Sequence, residues 1–215
     1  MRDGVLIGEV NIVTRLTHSQ VILPMVERLL KDCETDMSEV DCVAAAKGPG
    51  SYTGLRIGIG AIKGMCLGDP ALKCAGVSTL LALAYNLSAY DGRIFTVMKA
   101  RGSICYFAAF DAREGYVLRV ISDCLADMDE ISEFIGEFKG KSMLIGDAAE
   151  EIKKKYFKSI REIRLAPENS ALPRAASICT AVERQSVLLC TPQELTVSYL
   201  QPTKAQKDRA HSKEK

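Results

Sequence analysis

The sequence predicts a layered α/β protein built from two units of similar kind. Three observations carry that expectation. In the first 90 residues, short runs of β-branched and small apolar residues alternate with segments whose apolar residues recur at helical spacing. Near residue 94 a second series opens with three strand-like runs separated by turn residues. Between the two series, Tyr90 to Arg93 carries an Asp-Gly turn, which divides the chain into residues 1–92 and 93–215.

Each element has its own local reason. Residues 4–14, GVLIGEVNIVT, read as extended chain, either two strands or one long strand with a bulge at Gly8. Thr17, His18 and Ser19 then offer N-cap chemistry. In the helix they would open, Ile22, Met25, Val26, Leu29, Leu30 and Cys33 form one apolar stripe, and Pro24 sits in the first turn or kinks it. Val40 to Ala46 suits a buried parallel strand. It leads into GPGSYTGLRIGIGAIKG, residues 48–64, which is helical in rhythm from about Ser51 to Thr53 onward. LKCAGVS is a strand and TLLALAYNLSAY a helix. The second series has strands near 94–98, 104–111 and 116–121, a helix over 128–138 and a buried strand in SMLIGD. AAEEIKKKYF is an amphipathic helix with its lysines on a solvated face, and ALPRAASICTAVERQ is a helix with Pro173 near its start. The polar tail QPTKAQKDRAHSKEK is expected to be mobile at its end.

The totals exclude several function classes. Of 215 residues 47% are hydrophobic and 26% charged, enough for a sizeable core. A formal net charge of +1 gives no whole-chain field directed at nucleic acid or a membrane. The longest apolar runs are too short to span a bilayer, and MRDGVLIGEV has no apolar signal core, so a cytoplasmic location is expected. Eight cysteines at 33, 42, 66, 74, 105, 124, 179 and 190 form no CxxC pair, and only His18 and His211 could join them. Reduced, mostly buried thiols and no metal site follow.

The glycine stretch fits neither standard phosphate motif. It has no GxxxxGK followed by Ser or Thr, and Thr53 occupies the third glycine of the dinucleotide pattern. GPGS before a helix leaves an anion site open as a weaker reading. Spacing offers another. Gly54 and Gly58 stand one turn apart, as do Gly60 and Gly64, and Ala61 lies beside Gly58. A face without Cβ bulk lets a second backbone come close. Leu55, Ile57, Ile59, Ile62, Met65 and Leu67 surround the rest, so the helix is expected to be covered on more than one side: by its own sheet, and by another helix of this chain or of a partner.

GPGSYTGLRIGIGAIKG resembles the signature of the bacterial TsaB (YeaZ) family, the dimerisation subunit of the tRNA threonylcarbamoyladenosine system. THSQVILPMVERLL resembles that family's His-Ser-Gln helix, and GVSTLLALA its following strand and helix. VMKARGSICYFAAF resembles its Asp-Ala-Arg strand and turn, LIGD a later strand end, and VSYLQPTKAQKDR its tail. The resemblance implies two lobes of the actin, sugar-kinase and heat-shock ATPase type. It implies a noncatalytic subunit that pairs with a TsaD-like paralogue and works with a TsaE-like ATPase, reaching tRNA through the complex. ATP would be bound by those partners, with no cofactor or metal in this subunit. The pairing surface would comprise Ile22, Met25, Val26 and Leu29 of the first helix with Gly54, Gly58, Ala61 and Met65 of the second. The same surface could form a homodimer when the partner is absent.

Two departures from the family pattern shape further expectations. Family members begin with a buried strand and a second strand before an Asp-Gly turn. Here that turn is Asp3-Gly4, so the first lobe is expected to lack its first strand and the natural protein to start upstream. Lys99-Ala100-Arg101 stands where the family has Asp-Ala-Arg, which makes Lys99 and Arg101 candidates for a phosphate contact, with an exposed turn as the alternative. Nothing reads as a Ser/His/Asp set, and His18 next to Ser19 reads as a capping group. A rival function is an ATP-dependent small-molecule kinase of the same fold, which needs a phosphate loop. A peptidase is disfavoured for want of a triad or a metal pair.

Overall fold

The computed structural model describes residues 1–69, 71–184 and 186–200. The elements follow in the order α1 (His18–Asp32), β1 (Cys42–Gly48), α2 (Tyr52–Cys66), β2 (Lys73–Ser78), α3 (Thr79–Tyr85), β3 (Gly92–Arg101), β4 (Ile104–Arg113), β5 (Tyr116–Asp127), α4 (Met128–Glu137), β6 (Ser142–Ile145), α5 (Ala149–Tyr156), β7 (Ile163–Leu165) and α6 (Ala175–Glu183). Two single 3-10 turns, Met37–Glu39 and Glu168–Ser170, complete the set.

The second half builds a five-stranded sheet in the order β5-β4-β3-β6-β7. β3, β4 and β5 form the antiparallel meander expected from the turn residues, while β6 pairs parallel to β3 and β7 parallel to β6. Side-chain alternation buries both faces of this sheet. Phe95, Val97, Phe107 and Ala109 point to one side and meet Ile131, Ile135 and Ile152 of α4 and α5. Ile94, Ala108 and Phe110 point to the other side, where α3 and α6 cover them with Leu80, Leu83 and Ala181. Every residue of α3 is buried, which explains its apolar composition all round. Gly146 ends β6 at φ +114°, and a Cβ there would overlap the Val97 carbonyl oxygen, so the Gly-Asp strand end is a packing requirement.

The first half repeats the later part of this pattern, helix, strand, helix, strand, helix. Its sheet has two strands, β1 and β2, paired in parallel. Two expectations fail here. Residues 4–14 form no strand: apart from an isolated bridge between Arg2 and Val5, the segment is extended and unpaired, with Val5, Ile12 and Val13 at 63%, 57% and 95% exposure. β-branched composition favours extended backbone, but a strand also needs a neighbour for its N–H and C=O groups, and none of the described residues supplies one. For the same reason β1 is half-buried through Lys47 where a fully buried strand was expected. Asp3 (φ 48°) and Gly4 (φ 76°) do make the expected turn.

The extended segment is nonetheless anchored. The Glu9 carboxylate accepts hydrogen bonds from the Arg174 guanidinium and from the Ala176 N–H at 3.1 Å, so it caps the N-terminus of α6. Burial works to raise the Glu9 carboxyl, but the Arg174 and Ala176 hydrogen bonds and the Arg174 charge prevail and hold it below the ordinary carboxylate value. Gly8 passes over the end of α1, where a Cβ would stand 2.6 Å from Cys33 Sγ and 2.9 Å from Leu29.

The chain divides near residue 92 in its sheets but not in its packing. Residues 186–200 return to the first half as a strap: Leu195 is 2% exposed among Ile59, Ile62 and Cys74, and the Ser198 N–H donates to the Lys47 carbonyl at 2.7 Å. Pro173 lies two positions before α6. The polar tail from residue 201, including His211, lies outside the described residues. Among the described residues no helix is long and apolar enough to cross a membrane.

Candidate functional site

α2 is capped by Ser51, whose Oγ accepts from the Gly54 N–H at 3.3 Å. One row of the helix, Leu55, Ile59, Ile62 and Cys66, is buried; Ile59, Ile62 and Cys66 pack with Leu72 and Cys74 of the first half. The adjacent row is Gly54, Gly58, Ala61 and Met65, and all four are half-buried. Met65 packs against the buried row's cluster. A Cβ at Gly58 would have nothing within 4 Å, and one at Gly54 would meet only the Ser51 side chain at 3.5 Å. Gly60 and Gly64 also face open space but do not extend that row. At about 100° per residue Gly60 sits roughly 160° round the helix from Gly58. The small-residue stripe is therefore two separate rows, and the half-buried Gly54-Gly58-Ala61 row is the one beside an apolar neighbourhood.

α1 packs beside α2. The Gln20 side-chain oxygen accepts from the Thr17 N–H at 3.0 Å, so Thr17 is the cap and His18 is exposed with no capping role. Pro24 lies inside the helix. Ile22, Met25, Val26 and Leu29 are all half-buried, and no residue of α1 is fully buried. They do not share one environment. Leu29 meets the backbone at Gly8, and Met25 lines an apolar groove of about 390 Å³ together with Val10, Ile12, Leu16, Val21 and Pro24.

Lys99 and Arg101 lie on the β3–β4 hairpin of the second sheet. Lys99 Nζ pairs with Glu151 at 2.9 Å, and the Lys99 N–H donates to Asp147 at 2.7 Å. The hydrogen bond and charge of Glu151 raise the Lys99 ammonium pKa, and those of Lys99 lower the pKa of the Glu151 carboxyl. A phosphate reaching Lys99 would have to displace a carboxylate. Arg101 is exposed.

Between the two sheets opens a cleft of about 650 Å³ lined by Lys47, Gly76, Ser78, Arg119, Asp123 and Cys190, among others. Ser78 Oγ accepts from the Leu81 N–H as the cap of α3 and donates to Asp123 at 2.5 Å, and Asp123 is paired with Arg119. A carboxylate, not a glycine-rich amide cradle, therefore faces the cleft from the second sheet. The GPG turn serves packing instead. A Cβ at Gly48 would overlap the Ser198 carbonyl oxygen, so the loop makes room for the strap.

Sequence reasoning missed the strap and what it assembles. Tyr199 stacks on Tyr52 with ring centroids 5.0 Å apart and accepts a hydrogen bond from Arg56 Nε at 2.9 Å. Cys190 meets Cys74. Contacts across such separations leave no periodic trace in sequence. All eight cysteines are free, and no group of potential metal ligands occurs among the described residues.

Known proteins share this architecture. The family model for TsaD, tRNA N6-adenosine threonylcarbamoyltransferase, matches residues 11–204. The tRNA threonylcarbamoyladenosine biosynthesis protein TsaB of Escherichia coli K12 is 38% identical over 99 residues, 45% of this chain and 42% of that protein. The Bacillus subtilis 168 protein of the same name is 32% identical over 123 residues, 57% and 53% of the two chains. The chain thus spans about half the length of these curated relatives. The solved structure of YeaZ from Pseudomonas aeruginosa superposes with a TM-score of 0.73 at 23% identity, covering 88% of this chain and 87% of that one. A second Pseudomonas aeruginosa structure, described as similar to peptidase YEAZ, gives 0.72 at 23% identity, and both show the fold alone. The α/β architecture is that of the actin, sugar-kinase and heat-shock ATPase type, and the chain, similar in part to the TsaB proteins, belongs to the TsaD-type tRNA N6-adenosine threonylcarbamoyltransferase family.

Proposed function

We propose that this protein is a noncatalytic pairing subunit for tRNA N6-threonylcarbamoyladenosine formation, docking a TsaD-like paralogue on the α1–α2 face. One observation carries the reading. Each interior glycine of α2 costs the helix about 0.5–1 kcal/mol relative to alanine, and at Gly58 no group among the described residues uses the space so created. An uncompensated loss at a half-buried helix position makes sense if a second backbone fills it in an assembly. The half-buried Ile22 and Val26 of the adjoining helix supply apolar area for the same contact. The names of the curated relatives supply the pathway.

In this reading ATP is handled by the TsaD-like and TsaE-like partners, and tRNA is reached through the assembled complex. The cleft supports the first part, because its Lys47, Arg119, Asp123 and Glu194 leave the lining without net positive charge and Arg119 is already paired with Asp123. Lys99 and Arg101 remain the phosphate-facing candidates for the second, with Glu151 as the group that tRNA must outcompete. When no paralogue is present, two copies of the α1–α2 face can pair instead.

The decisive experiment is co-purification of Gly58→Leu with the TsaD-like paralogue of the same genome. The variant is expected to keep its melting profile, since the new side chain points into open space, and to lose the paralogue. Retention of the paralogue at unchanged affinity removes the proposed face. Loss of melting cooperativity together with binding would instead place Gly58 in the internal packing.

A further inference from the structure

Cys74 and Cys190 are 116 positions apart in the chain and adjacent in space. Their backbones exchange both hydrogen bonds, Cys74 N–H to Cys190 O at 3.1 Å and Cys190 N–H to Cys74 O at 2.8 Å, as an isolated antiparallel bridge between β2 and the strap. A hydrogen-bonded pair of this kind sets its Cα atoms about 5.5 Å apart, within the window of roughly 4.4–6.8 Å that a disulfide spans. The two sulfurs stand 3.8 Å apart, so closing them to bonding distance takes side-chain rotation and a small shift of the strap backbone toward β2. Cys74 is fully buried on β2, while Cys190 is half-buried at the head of the strap and lines the interlobe cleft.

We propose that Cys74 and Cys190 are a redox pair whose disulfide staples the strap of residues 186–200 to β2. The oxidant is a low-molecular-weight disulfide entering the cleft. The Cys190 thiolate attacks one of its sulfurs and expels the first small thiol. Cys74 then attacks the Cys190 sulfur of the mixed disulfide and expels the second. Each protein thiol gives up one proton, two electrons pass to the oxidant, and one S–S bond replaces another. The order follows from access, because only Cys190 can be reached from solvent. Burial supports it by pushing the Cys74 thiol up to about 12, which leaves that thiol a resolving group, not the first attacker. Cys66 shares a core cluster with Cys74, but it is 4% exposed and lies on α2, so it is neither reached by the oxidant nor backbone-paired with Cys74.

The staple has a structural consequence beyond the bond itself. In the reduced protein the strap is held by Leu195 in its pocket, by the Ser198 to Lys47 hydrogen bond and by Tyr199 on Tyr52. These contacts can open locally, as exposed segments do. The disulfide closes that route from the strap's head, and with it fixes the Tyr199–Arg56–Tyr52 cluster at the start of α2.

The test uses the full chain incubated with oxidised glutathione, maleimide blocking of the remaining thiols and non-reducing peptide mass spectrometry. The expected product is one cross-linked peptide pair, Cys74 with Cys190, with the other six of the eight cysteines blocked as thiols and full reversal by dithiothreitol. Hydrogen exchange over residues 186–198 should slow by about tenfold or more on oxidation. Cys74→Ala should stop at a glutathione adduct on Cys190. The unchanged chain needs no variant to fold, and it overturns the proposal if Cys190 keeps its glutathione adduct, if another cysteine pair cross-links, if nothing reacts, or if the strap exchanges at the same rate in both forms.

Discussion

Gly58 and Gly146 show how the same residue type answers opposite demands. The first faces open space and the second sits at φ +114° against the Val97 carbonyl. Gly58→Ala should therefore stabilise the isolated chain by about 0.5–1 kcal/mol, through helix propensity alone. Gly146→Ala should destabilise it by roughly 1–3 kcal/mol, through a strained backbone and a steric overlap. Denaturant midpoints of the two variants measure both, and a destabilised Gly58→Ala would place an unseen contact inside the chain. Glu9 gives a pH dependence. Its carboxyl is held below the ordinary value, so its contribution is complete above pH 4.5 and is lost as pH falls through the lower, folded value. The difference in stability between the natural sequence and Glu9→Gln should be on the order of 1 kcal/mol at neutral pH and vanish in acid. A difference that persists unchanged after the Glu9 carboxyl has been fully protonated would show that packing, not charge, holds the segment. Spacing marked Gly58 as part of a bare face, but what surrounds Gly58 and Gly146 was not legible in advance, nor were the Glu9 partners, 165 and 167 positions away.

Elements with strong internal periodicity were readable, because their hydrogen bonds close within a few residues. α2 begins and ends within a residue or two of its expected span, and the meander appears as β3, β4 and β5, each longer than its apolar run. β7, three residues long, left too little pattern to detect. The failure at residues 4–14 is of another kind: composition favours strand, but pairing is a property of two segments. The elements also differ in what they contribute. Leu83→Ala, in the wholly buried α3, should cost about 2–5 kcal/mol. Leu67→Ala, at 82% exposure just past α2, should stay within about 0.5 kcal/mol of the natural sequence. Thermal unfolding separates the two, and similar losses would mean that Leu67 is covered in an assembly formed even by the isolated chain.

At the scale of the molecule, the strap joins what the sequence divides. The break near residue 92 separates the two sheets, yet Val77 of β2 shares a core with Ile94 and Phe110, and Leu195 fills the core under α2. Leu195→Ala should therefore cost about 2–5 kcal/mol and weaken both halves in a single transition. Two separate transitions by circular dichroism would mean that the halves are independent units. By itself the sequence determined the alternation of strands and helices, the order of the elements, the family and the absence of standard phosphate loops, because each rests on local spacing or on a contiguous motif. Only the tertiary structure decided which glycines face empty space, that a carboxylate occupies the cleft, and that Cys74 and Cys190 meet. Those facts depend on contacts between segments far apart in the chain, and the energy of such contacts is fixed by where the backbone brings the atoms, not by their neighbours in sequence.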